Sequence, residues 1–169
     1  PDLEDSMYGL PLADTPAPEP DWDAAASNPH AEALRSATVG QVVGGEPVLV
    51  SLAMMAARDT DNPDNPIHSD PEQAKKAGLA KPIAGGSHVL AFALEAVMAE
   101  FGSQSLLHGA NFDVRWKAPT ENDVHIVPKA TVTQAEPDRL VLDLQVDLAG
   151  GTTAMVGILT IPLAWPPAA

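Results

Sequence analysis

The chain has 169 residues, 45% of them hydrophobic, which is enough for one domain with a buried core. A formal net charge of -14 argues against a nucleic-acid partner, and the absence of cysteine removes disulfides, thiolate catalysis and cysteine-type zinc sites. No apolar run is long enough to cross a bilayer and no charged-then-apolar leader is visible, so a soluble cytoplasmic protein with no membrane partner is expected.

Half of the net charge sits in residues 1–30, which hold seven acids and no Lys or Arg. This stretch is rich in Pro and Ala and has no sustained period, so it reads as an extended N-terminal arm ahead of a domain spanning 31–169. Its large apolar groups, Met7, Tyr8, Leu10, Leu12 and Trp22, are expected to dock on this subunit or a neighbour. Residues 39–50 read as an extended lead-in broken by Gly44, Gly45 and Pro47. Ser51 is placed to N-cap a short helix over 52–58. A loop over 59–68, dense in Asp, Asn and Pro, follows. Asp70, Pro71 and Glu72 then open a second short helix that Gly78 closes.

The segment 88–101 is apolar nearly all round and ends at Gly102, so it predicts a helix buried on most sides. Beyond it the period changes from helical to alternating. Phe112, Val114 and Trp116 alternate with polar neighbours, and Asn122 and Asp123 mark a turn before a strand over 124–134. Leu140, Leu142, Leu144, Val146 and Leu148 alternate with Val141, Asp143, Gln145 and Asp147, and Gly150 and Gly151 turn the chain into a last strand over 152–161. One buried helix followed by consecutive antiparallel strands predicts an α+β fold, a sheet wrapped around a central helix.

The run Asp61-Asn-Pro-Asp-Asn-Pro-Ile-His68, followed by Pro82-Ile-Ala-Gly-Gly86, resembles the MaoC-like hotdog family, which includes the R-specific enoyl-CoA hydratases. Asn65, Pro66, Ile67 and His68 match the family's Asn-Pro-Leu/Ile-His, and Pro82, Ile83 and Gly86 match its Pro-Ile-x-x-Gly. Thr38 to Gln41 also resembles the family's usual approach to its first strand. The resemblance covers residues 35–163 and implies a hotdog fold, a homodimer with the site at the subunit interface, and hydratase or dehydratase action on an acyl-CoA or acyl carrier protein thioester. It implies acid/base work for His68, an oxyanion hole at Gly86 and an orienting role for Asn65. Hydrating a conjugated thioester needs a base to activate water and an acid to protonate the alpha carbon. The enolate oxygen needs donors already aimed at it, which a glycine opening a buried helix supplies.

Aligned without a gap, the family's catalytic Asp falls on Pro63, which does no acid/base chemistry. Asp64 takes the role if the loop is one residue shorter, and Asp61 does if it bulges. The spacing from Ser51 favours Asp64. Read structurally, both carboxylates serve Asx-Pro turns.

Pro66, Ile83, Gly85 and Ser87 are expected to border the substrate, with Ser87 also a candidate helix cap. Lys75, Lys76 and Lys81 are either a solvated face or a cationic spot for a phosphorylated ligand. His88 reads as a packed histidine, and Met54, Met55 and Met98 as core. His30, His108 and His125 lack metal-ligand spacing and no nucleotide-binding glycine loop is present, so no metal or cofactor is expected. Two other readings stay open. One is a hotdog thioesterase or another thioester-processing enzyme. The other is a non-catalytic acyl-binding subunit of a heteromeric dehydratase, which Pro63 favours.

Overall fold

The alternation over 140–148 makes a strand with two different faces. Leu140, Leu142, Leu144 and Val146 are buried, while Val141, Asp143, Gln145 and Asp147 point to the other side. That strand is the centre of the sheet in a computed structural model that describes residues 30–59, 65–107 and 109–163. The arm with Met7, Tyr8, Leu10, Leu12 and Trp22 lies outside the described residues, as do Asp61, Pro63, Asp64 and His108.

The elements run, in order, α1 (Ala31–Ser36), β1 (Val42–Gly44), β2 (Val48–Val50), α2 (Leu52–Asp59), a 3-10 turn (Pro66–His68) and α3 (Pro71–Lys76). They continue with α4 (Gly86–Phe101), α5 (Gln104–Leu107), β3 (Asn111–Trp116), β4 (Val124–Ala135), β5 (Arg139–Leu148) and β6 (Thr153–Pro162). The strands form one antiparallel sheet in the order β1-β4-β5-β6-β3, with β2 also paired to β4. Register aligns the inward side chains in rows. Val132, Leu142, Leu159 and Phe112 make one row, and Pro128, Val146, Met155 and Trp116 make another.

Helix α4 lies on this inner face against β1, β4 and β5. It buries Val89, Leu90, Phe92, Ala93, Val97 and Phe101 there, and the whole set forms a single core. Each large side chain so buried contributes roughly 1.5–3 kcal/mol relative to exposure. The approach is close at Gly44. A Cβ at that position would lie 2.8 Å from the Ala96 Cβ and 2.6 Å from the Pro128 carbonyl oxygen, so only glycine fits. This is a hotdog-type α+β fold.

Local signals are realised as the sequence predicts. The Ser51 hydroxyl accepts from Met54 N–H at 3.2 Å, and the Asp70 carboxylate accepts from Glu72 and Gln73 N–H to cap α3. Gly78 ends α3 at φ +85°, and Asp123 turns the chain into β4 at φ +60°.

Three expectations are corrected. Gly85, not Ser87, is the N-cap of α4, so Ser87 is already inside the helix and exposed. Met55 is core, but its neighbour Met54 is 39% exposed, because successive residues of a helix face different directions. Finally, β3 does not pair with β4, the next strand in sequence. It pairs with β6 at the far edge, so residues 117–123 must cross the sheet.

Candidate functional site

That crossover shapes the site. On its way from β3 to β4 it runs beside the lead-in to α4. Ala84 N–H donates to the Thr120 carbonyl at 2.7 Å, Asn122 N–H donates to the Pro82 carbonyl at 2.9 Å, and Ile83 bridges to Glu121. The segment 82–84 is therefore held like a short strand just before the helix starts. Its fixed carbonyl, that of Ile83, is what His68 uses.

His68 closes the 3-10 turn that Pro66 begins, and Ser69 and Asp70 N–H both donate to the Pro66 carbonyl. The half-buried imidazole places Nδ1 2.6 Å from the Ile83 carbonyl oxygen. A carbonyl only accepts, so Nδ1 carries the proton and Nε2 keeps its lone pair when the ring is neutral. Asn65 Nδ2 lies 3.3 Å from Nε2 and donates to it. A Cβ built on Gly85 would stand 4.0 Å from His68 Cε1 and Nε2, so the working edge of the ring faces the start of α4.

Gly86 is the first residue of that helix, and its N–H has no acceptor among the described residues. The helix is 16 residues long, so the positive end of its dipole acts at the same point. Beside it is a cavity of about 630 Å³, bordered by Ile83, Gly86, Ser87, Val89, Trp116 and Thr120 among others. His68 is not among the lining residues. It reaches the same turn at Gly85.

The structure thus brings together Asn65, His68, Ile83, Gly85, Gly86 and Ser87. Pro66 contributes by shaping the turn. It does not gather the lysines into the cavity. Lys75 pairs with Glu72 at 3.0 Å, Lys81 with Glu121 at 4.0 Å, and Lys76 makes no ion pair among the described residues. His88 is half-buried and stacks on Phe92, with ring centroids 5.1 Å apart. Several cavity residues escape the sequence reading, chiefly Trp116 and the crossover residues Lys117, Ala118, Pro119 and Thr120. Alternation places Trp116 on the inner face, but no local signal shows that the crossover folds back on Gly86.

A family described as "MaoC like domain" matches residues 50–136. Among solved structures, R-hydratase PhaJ1 from Pseudomonas aeruginosa superposes with a TM-score of 0.65 at 19% identity, covering 76% of this chain and 83% of that one. The (R)-hydratase from A. caviae involved in PHA biosynthesis gives 0.63 at 23% identity, covering 77% and 99%. A MaoC-like dehydratase from Rhodospirillum rubrum gives 0.58 at 20% identity, covering 78% and 96%. No curated protein sequence matches the chain. Fold and motif define a hotdog-type protein with a histidine poised at the start of its central helix. The chain belongs to the MaoC-like domain family.

Proposed function

We propose that the protein catalyses the reversible addition of water to the enoyl thioester of CoA or an acyl carrier protein. The observation that carries this reading is the hydrogen bonding of His68. Its Nδ1 is committed to the Ile83 carbonyl, and its Nε2 stands beside the turn where the Gly86 N–H has no acceptor among the described residues. In hydration, the water oxygen bonds to the beta carbon while a proton passes from that water to Asp64 or to His68 Nε2. The electron pair of the double bond moves toward the thioester carbonyl, whose oxygen accepts from Gly86 N–H. The proton taken from the water is then delivered to the alpha carbon, so the net change is one water added. Asn65 orients His68 for this exchange.

Family membership and likeness to two R-hydratases support the reaction class. The outer edge of β3, which pairs with no strand among the described residues and carries half-exposed Phe112 and Trp116, is the proposed dimer seam. Lys75, Lys76 and Lys81, with the exposed Lys117 beside the cavity, are the proposed phosphate-reading cations for the carrier. A second reading, a non-catalytic acyl-binding subunit, is favoured by Pro63 at the family's Asp position.

Replacing His68 with Ala, or Asp64 with Asn, should each lower turnover of a short enoyl-CoA by at least about a hundredfold with folding intact. Asp61→Asn should retain activity. Full activity in His68→Ala would overturn the mechanism, and a dead Asp61→Asn beside an active Asp64→Asn would move the carboxylate to Asp61.

A further inference from the structure

Trp116 is the last residue of β3 and pairs with Met155 on the inner face of the sheet, which brings its side chain over the first turn of α4. A Cβ built on Gly86 would lie 2.5 Å from Trp116 Cε2, 2.6 Å from Nε1 and 2.9 Å from Cζ2. The edge of the indole that carries the N–H is therefore the part that covers the glycine. We propose that the Trp116 indole N–H is a second donor, beside the Gly86 backbone N–H, to the carbonyl oxygen of a bound acyl thioester. The proposal rests on the acyl-thioester reading of this site.

Three observations converge on it. The first is spacing. Standard bond lengths put a Cβ about 2.5 Å from its own backbone nitrogen, so the two donor nitrogens are at most about 5 Å apart. One oxygen can accept from both at about 2.9 Å whenever they are closer than about 5.8 Å. The second is direction. In a helix the Cα–Cβ bond leans toward the N-terminus, as the first-turn N–H groups do, so the indole stands on the side the free amide faces.

The third is a donor left available at one cavity. An indole nitrogen can only donate, and Trp116, 53% exposed, gives its N–H to no acceptor among the described residues, so it is open to a ligand. Thr120, 2% exposed and in the same wall, has an Oγ1 with no partner there either. A plain apolar wall would explain the ring, but not an N–H edge placed beside a helix amide that has no acceptor among the described residues. Two donors held by different rigid elements are what stabilises charge developing on one oxygen.

The test uses Trp116→Phe and a replacement of Trp116 by benzothienylalanine, which keeps the bicyclic shape and puts sulfur where the N–H was. Each is assayed on a short enoyl-CoA, and the carbonyl stretch of bound carbonyl-labelled butyryl-CoA is read by infrared difference spectroscopy. Both replacements should lower kcat at least about tenfold, the low end for losing one donor of such a pair, with KM little changed. The bound carbonyl stretch should move back toward its value in solution. Wild-type kcat and an unchanged stretch in the isostere overturn the proposal, even if Trp116→Phe fails to fold. A bound carbonyl that is unshifted in the wild type itself sinks the acyl-thioester reading, and with it this inference.

Discussion

An imidazole that donates its Nδ1–H to a fixed carbonyl has only its second nitrogen left to work with, and the surroundings decide what that nitrogen can reach. In His68 the partner is the Ile83 carbonyl at 2.6 Å, and Nε2 faces Asn65 and the start of α4. The Asn-Pro-Ile-His and Pro-Ile-x-x-Gly residues were legible in the sequence as a resemblance. Their union through Ile83 was not, because a side chain to backbone bond across fifteen positions leaves no local pattern. Gly86 is a sharper case. Its lack of a side chain is explained by the indole of Trp116, a residue 30 positions later that the sequence reading treats only as a strand residue. Gly86→Ala should therefore displace the indole and lower turnover at least about tenfold. Its thermal midpoint should change little or fall by a few degrees, since the helix gains from alanine while the displaced indole loses packing. Wild-type turnover in Gly86→Ala would show that the glycine and the indole have no catalytic relation.

Elements were legible wherever one face meets the core and the other meets solvent. The strand over 140–148 follows from that contrast, whereas the helix over 88–101 was legible because it is apolar nearly all round. Partner choice did not follow, because β3 carries the same alternation whether it pairs with β4 or β6. The register rows decide it, since Gly157 accommodates Val114, and a Cβ at 157 would lie 2.6 Å from the Val114 Cγ1.

On the outer face of β4–β6, Asp147 accepts from Gln145 at 2.9 Å, Thr153 at 2.8 Å and Lys129 at 3.2 Å. Burial alone would raise its pKa, but these hydrogen bonds and the Lys129 charge outweigh that and lower it. A lowered folded pKa means the carboxylate stabilises the fold above the unfolded value, about 4, and that this is lost as pH falls through the folded value. Asp147→Asn should cost about 1–2 kcal/mol near neutral pH. Its midpoint should converge with wild type below about pH 4. A constant gap across that range would contradict the assignment.

The short helix α3 makes a similar prediction about charge. Changing Lys75, Lys76 and Lys81 together to Gln should raise KM for a CoA substrate and flatten its salt dependence if the phosphates are read there. An unchanged salt response would leave them as a solvated face, as the Lys75–Glu72 pair already suggests for one of them.

At the scale of the whole molecule, the acidic charge, the single core and the wrapped helix were all readable before any coordinates. Which protein class they belong to needed the motif, and the motif's departure at Pro63 is where sequence reasoning divides. Asp61 and Asp64 lie outside the described residues, so the carboxylate is decided by substitution and not by distance. Among the described residues no helix is long and apolar enough to cross a membrane. What the cavity at α4 handles is the central claim. The measurement that tests it most directly follows a short-chain trans-enoyl-CoA with the full-length protein, recording loss of the conjugated thioester absorbance and release of free thiol in parallel. The account predicts that the absorbance falls to an equilibrium without thiol release, and that the 3-hydroxyacyl-CoA product regenerates it from the other side. Thiol release in step with the absorbance loss would mean hydrolysis, and no change from either direction would mean a binding subunit; either result contradicts a hydratase.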